Sequence, residues 1–163
     1  MFNINIDYNK FICIIGIGND LRSDDGVGPM LIEELKKKKL GKNISLINAS
    51  LAPENFIGKI ISLKPDIVIF VDAQKSDKKP GELNVIVPDE LNESFLSTHG
   101  LPLRFLIETI MNATAAKVYI IGIEVGNGEL AEGLSPEVEE SLNELVEFFC
   151  SKGESCVTQY RED

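Results

Sequence analysis

The sequence predicts an α/β fold, a three-layer sandwich with a mostly parallel, twisted sheet of about five strands between helices and with one antiparallel edge strand. Three apolar runs of strand length, at 11–17, 66–73 and 118–124, are typical of strands buried on both faces. Helical patterns separate these runs, and such alternation produces a parallel sheet covered by helices on both sides. The length of 163 residues fits a single domain, 1–163.

The first half of the chain supplies two strands and two helices. A strand is predicted at 11–17, and a helix follows from about Val27 to Lys38, with Pro29 suited to its first turn. Apolar residues recur every four positions along one side of this helix. A second strand is predicted at 44–49. Pro53 then introduces a short helix whose apolar stripe is Phe56, Ile57, Ile60 and Ile61.

The second half supplies three more strands and two longer helices. The run 66–73 stays apolar until Asp72, which predicts a central strand. The run 83–87, stopped by Pro88, is predicted as an edge strand or hairpin arm. A helix near Leu101 precedes a strand at 118–124. Ser135 and Pro136 begin the last helix as N-cap and first residue. The helix near Leu101 has an apolar stripe of Leu103, Leu106, Ile107, Ile110 and Met111. The stripe of the last helix consists of Val138, Leu142, Leu145, Val146 and Phe149.

Composition excludes several classes of partner. The net charge of −10, from 26 acidic and 16 basic residues, repels phosphate backbones and anionic lipids, so we expect neither nucleic acid nor membrane as partner. No apolar stretch approaches the roughly 20 residues needed to cross a bilayer, and no secretion signal is apparent. The three cysteines lack the paired spacing of a metal site. We expect a soluble cytoplasmic protein and a monomer.

The candidate site consists of Asp25, Asp72 and His99. Asp25 lies in the loop after the first strand, Asp72 ends the third strand, and His99 precedes a helix. Ligands of open α/β sheets bind beyond the carboxyl ends of the strands, where strand order reverses. If the first and third strands are neighbours, both aspartates open onto one crevice. Two carboxylates and an imidazole suit a divalent metal such as nickel, zinc or manganese.

Each of these residues also has a structural interpretation. Asp24 or Asp25 could N-cap the first helix, and Asp72 could form a turn at the end of a strand. A lone histidine is more often structural than catalytic. His99 is the only histidine of the chain, which excludes a metalloprotease site with two histidines.

The glycine-rich loop also invites a nucleotide-binding interpretation. Gly16 and Gly18 fit the dinucleotide fingerprint, but Leu21 occupies the position of its third glycine, and the acidic loop would repel a pyrophosphate. There is neither a GxxxxGK[ST] motif nor a GxSxG elbow for a serine nucleophile. A flavodoxin-like or Rossmann-like nucleotide-binding protein therefore stays a minor alternative.

The segment 16–28, GIGNDLRSDDGVG, resembles the N-terminal signature of the NiFe-hydrogenase maturation endopeptidases. In that family the second acid of the DD pair binds metal, which matches Asp25. A second acid ends the third strand, matching Asp72, and a histidine in a Ser-x-His segment before a helix matches His99. The segments 52–55 and 133–138 are similar to the branch that serves formate-hydrogenlyase or energy-converting hydrogenases.

Two departures from the family pattern bear on substrate fit. Family members often have Gly-Thr after the second strand, where this chain has Ser50 and Leu51. They often have Gln-Pro after the last strand, where this chain has Glu124 and Val125. Neither departure touches the three candidate ligands.

The resemblance implies a peptidase that removes the C-terminal extension of a NiFe-hydrogenase large-subunit precursor after nickel insertion. The nickel is carried by the substrate, and no organic cofactor is implied. Asp25, Asp72 and His99 would dock on that metal, and Asp25 or Asp72 would help to activate water. The attack could be nickel-assisted or of the aspartyl type. An alternative function for the same residues is a non-proteolytic assembly chaperone that recognises the metal centre.

Overall fold

The computed structural model describes residues 2, 4–96, 102–126 and 132–159, with side chains described as far as residue 151. Its sheet has five strands in the order β2-β1-β3-β5-β4. These are β1 (Ile12–Ile17), β2 (Ile44–Ser50), β3 (Ile67–Gln74), β4 (Leu83–Ile86) and β5 (Lys117–Glu124). All pairs are parallel except the antiparallel pair of β4 and β5 at one edge. The predicted fold class and the antiparallel edge strand are confirmed.

Within the described residues, four α-helices cover the two faces of the sheet. One face carries α1 (Val27–Lys36) and α4 (Pro136–Gln159), and the other carries α2 (Ile57–Leu63) and α3 (Leu103–Ala113). Side chains of β1 alternate between the two layers: Ile14 packs with α1 and α4, whereas Cys13 and Ile15 pack with α2 and α3. Because every residue of β1 and β3 is buried, these strands contain no polar face, which explains their continuous apolar runs.

Two details differ from the predictions. The last helix continues to Gln159, whereas the polar sequence after residue 153 predicts a frayed segment. A single glycine in a helix costs about 1 kcal/mol, which weakens the helix without ending it. Met111, predicted in the apolar stripe of α3, is 43% exposed. It lines a surface cavity of about 100 Å³ that also contacts Pro88, so its side chain faces this groove instead of the core.

The strand order creates a crevice between β1 and β3. From β1 the chain passes to β2 on one side, and the later strands extend the sheet from β3 on the other side. Strand order therefore reverses between β1 and β3. The loop of Asp25 follows the carboxyl end of β1, and Asp72 lies inside β3, two residues before its last residue, Gln74. None of the helices in the described ranges combines the length and apolar character that a bilayer crossing requires.

Candidate functional site

The loop after β1 folds back on the end of its own strand. The amide of Gly18 donates to the carbonyl of Ser50 at 2.9 Å, and the amide of Asn19 donates to the carbonyl of Asp25 at 3.1 Å. Gly18 has φ +153°, and a Cβ there would lie 2.0 Å from the Asp25 carbonyl oxygen. Only glycine permits this approach, which holds Asp25 beside the end of β1.

Asp25 lies half-buried in a 3-10 turn, Ser23–Gly26, which runs directly into α1 and contacts β3. The helix begins unusually close to the sheet. A Cβ at Gly28 would lie 2.3 Å from the carbonyl oxygen of Ile17 and 2.5 Å from that of Val71. Val71 precedes Asp72 in β3. The glycines of the loop thus allow close helix–strand packing. The turn of Asp25 lies at the same end of the sheet as Asp72, where the carboxyl ends of β1 and β3 meet.

Asp72 is fully buried near the carboxyl end of the central strand β3. Alternation along the strand places its side chain on the face that Val68 and Phe70 share with α2 and α3. Its partner in the register with β5 is Gly122, which has no side chain to fill the adjacent position. Carboxylates are almost never fully buried unless they are paired, so this position indicates a specific role for the acid.

His99 lies outside the described residues, as do Ser97 and Thr98, so its geometry is not part of the observed site. The last described residues before this segment, 94–96, bond to the end of β3. The amide of Lys75 donates to the carbonyl of Ser94 at 2.8 Å, and the amide of Leu96 donates to that of Ala73 at 3.3 Å. The segment 94–96 thus pairs with the end of β3 where β1 has stopped.

Within the described ranges, no three histidine, cysteine or acidic side chains are close enough to form a metal site. A metal at the end of the sheet where the turn of Asp25 contacts β3 would take carboxylate oxygens from Asp25 and Asp72 and a nitrogen ligand from His99. Oxygen and imidazole ligands together suit a borderline divalent metal, so the chemistry of this donor set fits nickel.

Asp24 is bound differently from its neighbour. Its Oδ1 accepts a hydrogen bond from the Ser135 amide at 2.7 Å, and its Oδ2 accepts one from the Ser135 hydroxyl at 2.8 Å. The N-cap of α1 is Gly26, and no side chain caps that helix. The alternative that Asp24 or Asp25 caps α1 is therefore wrong.

A chain of hydrogen bonds joins the ends of β3 and β5. Gln74 donates from Nε2 to the Ser76 hydroxyl at 2.7 Å, and that hydroxyl donates to Glu124 Oε2 at 2.8 Å. Oε1 of the same carboxylate accepts the Ser76 amide at 2.7 Å. Gln74 and Glu124 are 4% and 2% exposed. The departure from the family pattern at Glu124 thus supplies the acceptor of a buried network, which sequence reasoning had missed.

A family model described as HycI, hydrogenase maturation protease, matches residues 29–152, a range that includes Asp72 and His99 but begins after Asp25. The chain is 33% identical over 144 residues to a putative hydrogenase maturation protease of Methanocaldococcus jannaschii, covering 84% of this chain and 85% of that protein. It is 36% identical over 112 residues to the Hydrogenase 3 maturation protease of Escherichia coli strain K12, covering 68% and 70% respectively.

The structural comparison agrees with the sequence comparison. The fold is similar to the crystal structure of a NiFe hydrogenase maturation protease, HycI, from Thermococcus kodakarensis KOD1. The TM-score is 0.78 at 36% identity, and the match covers 87% of this chain and 92% of that one. The solution structure of the endopeptidase HycI from Escherichia coli gives a TM-score of 0.75 at 28% identity, covering 86% and 89%.

Proposed function

The chain belongs to the hydrogenase maturation protease family and is a peptidase, and from that premise we propose that it trims a NiFe-hydrogenase large-subunit precursor. The product is the large subunit without its C-terminal extension, and cleavage follows nickel insertion. The observation that carries this proposal is the full burial of Asp72 near the carboxyl end of β3, the strand that the turn of Asp25 contacts. Peptide hydrolysis needs groups that activate water, and this edge supplies two carboxylates.

Nickel enters this scheme as part of the substrate. Asp25, Asp72 and His99 are the proposed docking ligands, and together they leave coordination positions open for a metal that already has ligands of its own. The Leu96 amide donates a hydrogen bond to the carbonyl of Ala73, the residue after Asp72, and His99 is the third residue after Leu96. A chain of three residues spans at most about 10 Å, so His99 is within reach of the same edge.

Docking on the metal places the scissile peptide bond next to the two carboxylates. One of them takes a proton from water as the water attacks the carbonyl carbon, and the proton then passes to the leaving amine. The metal, when the substrate brings it, supplies positive charge near the developing oxyanion. Positioning by a bound metal also explains why the nickel-free precursor is expected to be a poor substrate.

We further propose that the substrate belongs to the branch of formate-hydrogenlyase or energy-converting hydrogenases. Support comes from the similarity to the Hydrogenase 3 maturation protease of Escherichia coli. A comparison of cleavage rates between a precursor of this branch and an uptake-hydrogenase precursor tests the assignment, and a faster rate on the latter would refute it. The cytoplasmic location and the monomeric state stay predictions, the latter testable by size-exclusion chromatography.

The decisive experiment incubates the purified protein with nickel-loaded precursor and measures the mass of the large subunit. We expect a shorter product, none without nickel, and none with Asp25→Asn, Asp72→Asn or His99→Ala. Asp20→Asn is the matched control, because Asp20 is an exposed acid of the same loop and should be dispensable. Normal cleavage by the Asp72→Asn variant would remove Asp72 from the site, and an uncut nickel-loaded precursor would refute the proposed function.

A further inference from the structure

We infer that Asp24 is a positioning residue for Asp25 and that it acts by holding the start of α4 against the loop. Three hydrogen bonds make this contact: the two from Ser135 to the Asp24 carboxylate and one from the Ser23 hydroxyl to the Gly133 carbonyl at 2.7 Å. We call these three bonds the Asp24 clamp. The inference rests on the proposed function only in assigning Asp25 to the reacting site.

In the clamp, both carboxylate oxygens of Asp24 accept hydrogen bonds from Ser135, the residue before α4. Its side chain is 8% exposed, and each oxygen accepts a separate donor of Ser135. Ser135 immediately precedes α4, so the carboxylate lies at the positive end of the helix dipole. Asp24 is therefore committed to α4.

The turn needs an external tether because its backbone is strained. Ser23 has φ +43°, a left-handed conformation that residues other than glycine rarely adopt. Such a conformation persists only where the surrounding contacts hold it. The bond from Ser23 to Gly133 and the two bonds to Asp24 are contacts of this kind, made by two consecutive residues directly before Asp25.

Asp25 has little freedom to move independently of the clamp. Its amide donates to the Arg22 carbonyl at 2.9 Å, and its carbonyl accepts from the Asn19 amide at 3.1 Å. Both backbone groups of Asp25 are therefore bonded within the loop, so a shift of the loop carries Asp25 with it. A displacement of about 1 Å at a reacting group can cost about 100-fold in rate. Release of Asp24 should thus lower turnover although Asp24 itself contacts neither substrate nor metal.

The test compares Asp24→Ala, Asp24→Asn and a control, Ser141→Ala. Asparagine keeps Oδ1 as an acceptor for the Ser135 amide, and its Nδ2 can donate to the Ser135 hydroxyl oxygen. Ser141 is a buried serine of α4 that donates to the Gly81 and Glu137 carbonyls, outside the clamp. Its loss should destabilise α4 without releasing the loop.

Two measurements are made on each folded variant: amide hydrogen exchange in residues 18–26, and kcat with KM on nickel-loaded precursor. We expect Asp24→Ala to speed exchange about 10-fold or more. It should also lower kcat about 100-fold, which is the effect of a displacement of about 1 Å at a reacting group. Asp24→Asn should restore both values to within about fivefold of the wild type. Ser141→Ala should change neither the exchange rate nor kcat, even if it lowers the melting temperature as much as Asp24→Ala does.

Unchanged exchange in Asp24→Ala would overturn the inference, whether or not the protein cleaves the precursor. An Asp24→Asn variant with normal exchange but no turnover would also overturn it, because Asp24 would then take part in the chemistry directly. Failure of the wild type to cut nickel-loaded precursor would refute the proposed function and leave the exchange result to decide the clamp.

Discussion

At the scale of single residues, two adjacent aspartates have different environments. Asp24 is buried and bound through both oxygens to Ser135, whereas Asp25 is half-buried in the turn that contacts β3. The sequence predicted Asp25 as a site residue from its place after the first strand, and the family resemblance matches the same residue. No local pattern could have revealed the partner of Asp24, because Ser135 lies 111 residues away. Asp72 stands out in the sequence as the acid of an otherwise apolar central strand, and its role at the site stays a prediction.

Leu21 offers a test of substrate contact that does not perturb folding. Its side chain is 91% exposed in the loop that carries Asp25, and its amide is held by Asn19 Oδ1 at 3.1 Å. Burial of a leucine against a partner contributes about 1.5–3 kcal/mol. We expect Leu21→Ser to raise KM about 10-fold with kcat and melting temperature unchanged. Met111→Ser, a half-exposed residue late in α3, should leave KM unchanged. An unaltered KM in Leu21→Ser would exclude this contact.

Cys13 is predicted to be inert in the folded protein. Burial raises the pKa of its thiol to about 12, an effect that the charge of Lys59 only partly offsets. Because the raised pKa favours the neutral thiol, its stabilising contribution is complete below about pH 9 and is lost as the pH rises toward 12. At pH 8 the thiolate population alone should slow alkylation about 1000-fold relative to the unfolded chain. Peptide mapping after iodoacetamide treatment, with and without guanidinium, measures this ratio. Equal labelling in both conditions would contradict it.

At the scale of secondary structure, the hydrophobic pattern predicted the elements well but not their irregular pairings. Strands β1, β3 and β5 begin and end within about two residues of the predicted runs, because full burial requires uninterrupted apolar sequence. The pairing of segment 94–96 with the end of β3 could not be predicted. That segment is short and mixed in polarity, and a distant strand determines its conformation. The same limitation applies to the network of Gln74, Ser76 and Glu124.

Glu124 should stabilise the ends of β3 and β5. In Glu124→Gln one carboxylate oxygen becomes an amide nitrogen, so one of the two Ser76 donors loses its acceptor. Buried hydrogen bonds to charged groups contribute about 1.5–3 kcal/mol, and we expect a loss in this range from urea unfolding. Glu82→Gln, at an exposed acid 3.8 Å from Lys78, should change stability by less than about 0.5 kcal/mol.

Coupling between Glu124→Gln and Ser76→Ala should exceed about 0.5 kcal/mol in a double-mutant cycle. Strict additivity would mean that the contact contributes nothing.

At the scale of the whole molecule, one sheet separates two apolar clusters. The cluster with α1 and α4 includes Leu145, and the cluster with α2 and α3 includes Leu106. Both clusters draw on alternate residues of the same central strands. The alternation of strands and helices in the sequence predicted this arrangement. That β1 and β3 are neighbours was not predicted but was assumed as the condition for a shared crevice. The observed order meets that condition.

The shared sheet predicts a single unfolding transition. Leu106→Ala and Leu145→Ala each remove a buried side chain, from opposite layers, and each should cost about 2–5 kcal/mol. Because the strands between the layers belong to both cores, we expect each variant to keep one cooperative transition at a lower temperature. Calorimetry with a comparison of calorimetric and van't Hoff enthalpies measures this. Two resolved transitions in either variant would argue against a single domain.

The Asp24 clamp has a consequence for protein synthesis. Asp24 and its partner Ser135 are 111 positions apart, and the chain is made from the N-terminus. A ribosome-bound chain therefore contains the glycine-rich loop long before the residue that tethers it, and even before β3, which carries Asp72. A nascent chain cannot hold Asp25 in place until translation has passed the start of the last helix. In the proposed scheme, the cutting geometry therefore forms only after Ser135 has been synthesised.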